Sequence, residues 1–236
     1  MLSAESITKS YRSPTGRIVA LDAVSLELAA DARLGLVGPS GSGKSTLGQV
    51  IAMLLAPDSG SVTIDGDRVP DWGLGAPRNL RHRVQLLWQS PRMAVDPRLR
   101  LGSAIVEPLA ASGVLPKGAK TSAPLIASWG QRVGLTEDLL ERFPHEVSEG
   151  QLQRACLARA LILQPRYLIC DELTSMLDVS TQAAVLEVVA GVQAERELGV
   201  LLITHDRILA SSWCHDTIEL GDLANVESLA EWSSPT

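Results

Sequence analysis

One eight-residue loop constrains the fold of this chain more than any other feature: Gly38-Pro39-Ser40-Gly41-Ser42-Gly43-Lys44-Ser45. It has the pattern G-x-x-x-x-G-K-[ST], in which glycines let the backbone curl so that its N–H groups face an anion. A short apolar stretch precedes it and a helical stretch follows, whereas a chance glycine-rich turn needs neither flank. We therefore predict a nucleotide site, with Lys44 on the β and γ phosphates and the Ser45 hydroxyl on Mg²⁺.

Short apolar stretches alternate with helical stretches along most of the chain. Strands are predicted at 19–28, 33–37, 61–64, 83–88, 166–170 and 200–204, and helices at 44–55 and 181–197. Between them, helical periodicity interrupted by prolines dominates from about 90 to 160. Alternating strands and helices indicate an α/β fold with a mostly parallel sheet. We predict one domain over 1–236, with a core at about 1–89 and 161–236 and an inserted helical lobe at about 90–160.

Two carboxylates, Asp171 and Glu172, end the apolar stretch at 167–170. Asp171 is placed to hold Mg²⁺ through water, as a strand-end carboxylate does in phosphate-loop enzymes, and Glu172 is then the natural general base. His205 and Gln89 each follow another predicted strand, where they can reach the γ phosphate, the metal or the attacking water. Taken alone, the carboxylates could be solvated loop residues and His205 could be structural, and Gln89 would carry no functional signal. The phosphate loop favours the catalytic interpretation.

The net charge and the hydropathy of the chain bear on whether it binds nucleic acid and whether it crosses a membrane. The net charge is -6, and duplex binding needs a concentrated basic face, so nucleic acid is not predicted as a partner. The first ten residues lack the apolar region of a signal peptide, and no apolar run approaches the roughly 18 residues of a spanning helix. We expect any membrane spans to belong to other chains. Three cysteines without CxxC spacing favour the reduced thiols of a cytosolic protein.

Taken together, the motifs resemble those of the ATP-binding subunits of the ABC transporter family. They occur in the family's order: the loop at 38–45, Gln89, VSEGQ at 147–151, the carboxylates at 171–172, SMLD at 175–178 and His205. VSEGQ looks like the family's signature LSGGQ, and a helical stretch follows it, as in the family. The resemblance covers about residues 3–222. It implies an ABC-type P-loop NTPase core with a mostly parallel sheet, an N-terminal antiparallel β part and an inserted helical lobe.

In this family two such domains face each other head to tail, and each ATP lies between one phosphate loop and the other domain's signature. The resemblance implies that Ser148, Gly150 and Gln151 contact the partner's ATP and that Asp178 lies in a loop linking the two sites. Tyr11 matches the aromatic residue that stacks on adenine, with a surface tyrosine as the alternative. The implied nucleotide-binding residues are Tyr11, Gly38, Pro39, Ser40, Gly41, Ser42, Gly43, Lys44, Ser45, Thr46, Ser148, Gly150, Gln151 and Asp178. The implied metal site contains Ser45, Gln89 and Asp171, and the implied catalytic residues are Glu172, His205, Gln89 and Lys44.

The resemblance also implies what surrounds the chain. The cofactors are ATP and Mg²⁺. The partners are a second ABC ATPase subunit (the same or a different chain), transmembrane permease subunits and, indirectly, an extracytoplasmic solute-binding protein. Gln89, at the joint with the lobe, would couple hydrolysis to the permease, which places the chain peripherally on the cytoplasmic face of the cell membrane.

Longer segments, among them RFPHEVSEGQLQRACLARAL, look like the ATPases of peptide and nickel importers. Peptide-importer ATPases usually carry a longer C-terminal tail. Because the sequence stops at Thr236, we expect the short form that is associated with nickel or metallophore uptake.

Three positions depart from the family's pattern. Glu149 replaces the first glycine of the signature and adds a negative charge near a bound triphosphate, unless its side chain turns away. Leu173 and Met176 stand where proline and alanine are usual. None of these changes removes a catalytic group, so they bear on the rate of turnover more than on the type of reaction.

Two other classes of function fit the motifs less well. A P-loop small-molecule kinase would need an acceptor pocket and a lid with arginines, and it would need no signature. A non-transport ABC ATPase of the DNA-repair or translation type would show a long coiled coil or a second motor domain, and the sequence shows neither.

Overall fold

The computed structural model describes residues 1–14, 16–113, 122–173 and 179–221. Its strands are β1 (Leu2–Ser13), β2 (Gly16–Leu28), β3 (Arg33–Val37), β4 (Ser59–Ile64), β5 (Asp67–Arg68), β6 (Val84–Leu87), β7 (Tyr167–Asp171), β8 (Gly199–Ile203) and β9 (Asp216–Glu219). Its α-helices are α1 (Lys44–Ile51), α2 (Arg78–Arg83), α3 (Leu101–Ala111), α4 (Ala123–Arg132), α5 (Glu137–Leu140), α6 (Glu149–Leu161), α7 (Val179–Glu195) and α8 (Arg207–Trp213). Short 3₁₀ turns occur at Gly73–Gly75, Pro91–Met93 and Pro144–Glu146.

A parallel sheet with the strand order β6-β7-β8-β3-β9 forms the centre of the molecule. Every residue of β7 and β8 is buried, as expected for parallel strands that are covered on both faces. The strands pair in register at their carboxyl ends, with Asp171 opposite Ile203 and Leu36 opposite Ile203 on the other side. The loops that leave these ends therefore begin side by side.

The parallel sheet separates two hydrophobic cores. Leu168 and Cys170 of β7 face the core that contains the helical residues of α3, α6 and α7, whereas Tyr167 and Ile169 face the core that contains α1. Successive side chains of a strand point to opposite faces, so one short strand supplies both cores.

An antiparallel sheet with the order β2-β1-β4-β5 covers the second core. Leu2, Ile7, Leu26 and Ile64 are buried in that core together with the residues of α1. This sheet is the N-terminal antiparallel β part that the resemblance implies. Together with the parallel sheet and the helices, it confirms the predicted α/β class.

The structure differs from the predicted elements mainly at their ends. The helix predicted at 44–55 ends at Ile51 because the backbone turns at Met53, which has a φ of 60°. The strands β1, β5 and β9 and the helices α2 and α8 were not predicted. The helices α3 to α6 fall almost wholly within the range predicted for the lobe, but the division into core and lobe at those boundaries stays a prediction. Within the described ranges, no helix combines the length and the apolar character needed to cross a membrane.

Candidate functional site

Four neighbouring strands of the parallel sheet place the predicted site residues along one edge. Gln89 follows β6, the two carboxylates end β7, His205 follows β8, and the glycine-rich loop follows β3. These strands are adjacent in the order β6-β7-β8-β3. Because parallel strands share the direction of their carboxyl ends, residues distant in sequence converge there, at the edge where open α/β sheets bind ligands.

The glycine-rich loop packs closely against the antiparallel sheet at Gly43. Gly43 precedes α1 with a φ of 95°, and a Cβ atom at this position would lie 2.2 Å from the carbonyl oxygen of Ala20 in β2. Gly41 has a φ of 81°, but nothing lies within 4 Å of its Cβ position. Gly43 is thus required by both its backbone conformation and its close contact, and Gly41 by its conformation alone.

The loop curls around its own lysine. The Lys44 side chain is buried, at 5% exposure, and its Nζ donates to the carbonyl oxygens of Gly38 at 2.8 Å and Pro39 at 2.7 Å. The hydroxyl of Ser42 lies 3.4 Å from the same nitrogen. Oxygen atoms of the loop itself therefore surround the lysine ammonium group.

A serine and a buried carboxylate meet beside the lysine. Ser45 Oγ, in the first turn of α1, donates to Asp171 Oδ1 at 2.9 Å. Asp171 is only 4% exposed, and burial raises the pKa of its carboxyl group. The charge of Glu172 also raises this pKa, whereas the hydrogen bond from Ser45 and the charge of Lys44 lower it. The carboxylate is therefore undercompensated, which suits it to a cation.

The Glu172 carboxylate is contacted by one side chain from each of two neighbouring loops. Gln89 Nε2 donates to Glu172 Oε2 at 2.6 Å, and His205 Nδ1 lies 3.7 Å from Oε1. The backbone of Glu172 has a φ of 46°, and its N–H donates to the carbonyl oxygen of Ile203 at 2.9 Å. A non-glycine residue in this conformation costs on the order of 1–3 kcal/mol, and such residues cluster at functional sites.

Tyr11 lies next to the helix that follows the loop. Its hydroxyl is 3.4 Å from Thr46 Oγ1 of α1, and the residue is 41% exposed. The side chain of an exposed tyrosine beside a phosphate loop is available for stacking on a base. The structure thus brings both predicted residues, Tyr11 and Thr46, to the same end of the site.

The predicted signature forms the start of α6. Ser148 is the N-cap: its Oγ accepts from the Gln151 N–H at 3.3 Å, while Gln151 Oε1 accepts from the Ser148 N–H at 3.0 Å. This reciprocal pair is a capping box. The positive end of the helix lies at the surface, where Ser148 is exposed and Glu149 and Gly150 are partly exposed. Gly150 accepts a bond from Arg154 Nε at 3.4 Å. Among the described residues, no hydrogen bond or ion pair joins the signature to the loop at 38–45.

Arg92 is a residue of the site that no motif marks. Its Nε donates to Glu149 Oε2 at 3.2 Å and its Nη1 to the carbonyl oxygen of Pro144 at 3.3 Å. The Glu149 side chain therefore faces Arg92. The sequence signal was an arginine three residues after Gln89 and a glutamate in a glycine position, but nothing in the spacing pairs them.

Two predicted positions, Asp178 and Met176, lie outside the described residues. Leu173, the other departure from the family pattern, is buried in the core beside α3 and α6.

Comparison with known proteins gives one family and several relatives. A protein family described as ABC transporter matches residues 21–175. A putative peptide import ATP-binding protein of Brucella abortus (strain 2308) is 41% identical over 208 residues, which are 87% of this chain and 62% of that protein. The glutathione import ATP-binding protein GsiA of Escherichia coli (strain K12) is 37% identical over 201 residues, 85% of this chain and 32% of GsiA. The chain thus spans less than two thirds of the length of these relatives.

Two solved structures share the fold over nearly the full length. The dimeric structure of MJ0796, described as a bacterial ABC transporter cassette, has a TM-score of 0.83 and 26% identity, covering 94% of this chain and 95% of its own. MJ0796 in a dimeric post-hydrolysis state bound to ADP and Pi has a TM-score of 0.81 at 24% identity, covering 93% and 94%. The second likeness concerns the fold alone.

Proposed function

The chain belongs to the ABC transporter family, and we propose that it is the ATP-binding, ATP-hydrolysing motor subunit of an ABC importer. One observation supports this most: the phosphate loop, a serine–carboxylate pair and a carboxylate held by glutamine meet at the ends of four adjacent strands. This is the set of groups that phosphoryl transfer to water needs, because such catalysis consists mainly of positioning and charge stabilisation.

ATP binding begins with an exchange of partners around Lys44. The β and γ phosphate oxygens replace the carbonyl oxygens of Gly38 and Pro39 that now accept from Nζ. The backbone N–H groups of the loop and the N-terminal end of α1 face the same phosphates. The exposed ring of Tyr11 then stacks on adenine.

Ser45 and Asp171 would hold Mg²⁺. Both offer oxygen ligands, which this ion prefers, and the burial that raises the pKa of Asp171 leaves a carboxylate that a cation would satisfy. Among the described residues, no group of three or more His, Cys, Asp or Glu side chains could hold a metal, which fits an ion that keeps waters and substrate phosphates as ligands. When bound, the ion would neutralise charge that develops on the phosphates.

Glu172 acts as the general base. Its carboxylate takes a proton from a water molecule as the water oxygen bonds to the γ phosphorus and the bond to the β-phosphate oxygen breaks. The Gln89 amide fixes one carboxylate oxygen through its 2.6 Å hydrogen bond. The exposed side chain of His205 lies close to the other oxygen and would stabilise the charge of the γ phosphate.

A second ATPase subunit completes each site. Ser148, Gly150 and Gln151, at the start of α6, would contact the ATP that is bound to the partner's phosphate loop. Asp178, six residues after Glu172 in the sequence, would link the two sites. The MJ0796 cassette, whose solved structure is dimeric, supports this arrangement.

The first experiment measures the mass in solution of the Glu172→Gln variant with and without ATP. Because the base is lost, bound ATP is not consumed and holds two subunits together, so the mass doubles only with ATP. Glu187→Gln, a change of an exposed glutamate on α7, is the matched control and should stay monomeric. A variant that binds ATP and remains monomeric until a different ATPase chain is added indicates a heterodimer. A variant that binds no ATP refutes the proposal.

We propose peptides as the cargo class, because the named relatives import peptides or glutathione, itself a tripeptide. Nickel or metal chelates form the alternative. The permease and a solute-binding protein carry the specificity in either case, and the chain would lie on the cytoplasmic face of the membrane against that permease. A peptide bound to the cognate solute-binding protein supports the first class, and a bound metal chelate supports the second.

A further inference from the structure

The 3₁₀ turn that follows Gln89 is tied to the start of the signature helix. Two of its bonds come from Arg92, to Glu149 Oε2 at 3.2 Å and to the carbonyl oxygen of Pro144 at 3.3 Å. A third bond runs from Cys156 Sγ of α6 to the carbonyl oxygen of Pro91 at 3.5 Å. Arg92 thus contacts both the segment that leads into the signature and the first residue of α6.

Glu149 stands where a negative charge has opposite effects on folding and on ATP binding. A carboxylate in the first turn of a helix is stabilised by the positive helix end. The partner's γ phosphate would bind at the same helix end. There the negative charges of the Glu149 carboxylate and the phosphate would repel each other. The direction of the Glu149 side chain therefore decides whether the signature can accept a triphosphate.

We propose that Arg92 is a positioning residue that keeps the signature compatible with ATP. Its guanidinium holds the Glu149 carboxylate toward the turn at Pro91–Met93 and partly neutralises its charge. This inference rests on the proposed function. The pair is half-exposed, with side-chain exposures of 49% for Arg92 and 32% for Glu149, and such pairs contribute little to stability. Its contribution lies in the direction of the carboxylate.

The Arg92–Glu149 pair also connects the two ATP sites to which one subunit contributes. Gln89, which holds the base Glu172, is three residues from Arg92, which holds the signature residue Glu149. Glu172 serves the subunit's own ATP, whereas the signature serves the partner's. A movement of the segment at 89–92 therefore reaches both sites.

The experiment uses the Glu172→Gln protein, together with its second ATPase subunit if one is needed, and measures the ATP concentration that gives half-maximal dimer formation. Arg92→Gln should raise this concentration about fivefold, because it releases an unpaired carboxylate beside the partner's phosphates. In a protein that already carries Glu149→Gln, Arg92→Gln should change this ATP concentration less than twofold. Arg92→Lys should recover part of the loss, and the Arg92→Gln effect should shrink in about 0.5 M salt, where exposed charges are screened.

Two controls separate this role from a general defect. Arg142→Gln removes an exposed ion pair with Asp138 at 3.3 Å, elsewhere among the helices at 101–161, and should not change dimer formation. ATP binding to the monomer, measured at concentrations too low for dimers, should be the same with and without Arg92→Gln, since Glu149 acts on the partner's nucleotide.

An Arg92→Gln protein that forms dimers at the parent's ATP concentration overturns the inference and leaves the proposed function intact. The same conclusion follows if Arg92→Gln raises the ATP concentration for half-maximal dimer formation equally with and without Glu149→Gln. If the parent protein binds no ATP, both the inference and the proposed function fail.

Discussion

The two halves of the candidate ATP site are built in opposite ways. In the phosphate-loop half the charged groups are buried and already paired within the chain, with Lys44 on backbone carbonyls and Asp171 on Ser45. In the signature half, Ser148 is exposed and Gln151 partly so, and each bonds the other across the first turn of α6. The phosphate-loop half must break hydrogen bonds within the chain when it binds a ligand. The signature half can bind a second molecule without breaking such bonds.

This difference assigns the two halves separate roles. A site whose cation is internally satisfied can bind a nucleotide by exchanging one set of oxygen atoms for another, without exposing an unpaired buried charge. An exposed helix start adds affinity only when a second molecule brings the phosphate to it. Substitutions in the first half should therefore affect nucleotide binding by one subunit, and substitutions in the second half should affect only the assembled pair.

The largest effect is expected from Lys44→Ala. Loss of the ammonium group removes the charge that faces the β and γ phosphates, so kcat/KM for ATP should fall by about 10²–10³-fold, and binding by the monomer should weaken as well. Lys9→Ala is the matched control, because Lys9 Nζ also donates to a carbonyl oxygen, that of Ala56, and to Asp58. A Lys44→Ala protein that hydrolyses ATP within tenfold of the parent would break the comparison.

Ser148→Asp tests the second half. Aspartate also caps helices, so the thermal stability should be retained, but its charge meets the partner's phosphate. Turnover should fall by about 100-fold, while ATP binding by the monomer is unchanged. Ser148→Ala serves for comparison: it loses the cap, at a cost of about 1 kcal/mol, without adding charge. Loss of monomer binding in Ser148→Asp would show that the two halves are not separate.

The smallest effect concerns the stability of the nucleotide-free protein. The pKa of Asp171 is raised by burial above its ordinary value of 3.8, so the folded state binds this proton more tightly than the unfolded state. Charging Asp171 then lowers stability as the pH rises from 3.8 through the raised pKa. Asp171→Asn removes this cost, and the Tm should rise by a few degrees at pH 7, with the gain vanishing toward pH 4.

Asp58→Asn gives the opposite sign and is the control for Asp171→Asn. Hydrogen bonds from Ser10 and Lys9 lower the pKa of Asp58, so its charge stabilises the folded state above its ordinary pKa, and the substitution should lower the Tm at pH 7. A lower Tm for Asp171→Asn at pH 7 would contradict the view of Asp171 as an undercompensated carboxylate.

The strands that position the site could be predicted because they are buried on both faces. Apart from Arg33 at the start of β3 and Asp171 at the end of β7, the strands β3, β7 and β8 are continuous apolar runs, a pattern that can be recognised without knowing which strands pair with them. β1 was missed because register shifts between Ala4 and Ile7 and beyond break its alternation. β9 was missed because its four residues, DTIE, are partly exposed at the sheet edge and carry little apolar signal.

The site was predictable where topology alone dictates it. Parallel strands deliver their carboxyl ends to one edge, so Asp171, Glu172 and His205 had to approach the loop once the strands were assigned. The pairing of Arg92 with Glu149 spans 57 residues and depends on how a turn packs against α6, for which the sequence holds no rule. The enclosure of Lys44 by its own loop is likewise a matter of local backbone shape.

The two loop glycines differ in how readily the chain can evolve around them. At Gly41, whose Cβ position is open, the only obstacle is a backbone angle that asparagine or aspartate can adopt. At Gly43, a side chain would also have to displace the Ala20 carbonyl, which belongs to a strand paired with its neighbour along most of its length. No second substitution moves a backbone carbonyl out of a sheet, so position 43 has no compensating route. The antiparallel sheet, which supplies none of the proposed catalytic residues, thereby limits the mutational paths open to the phosphate loop.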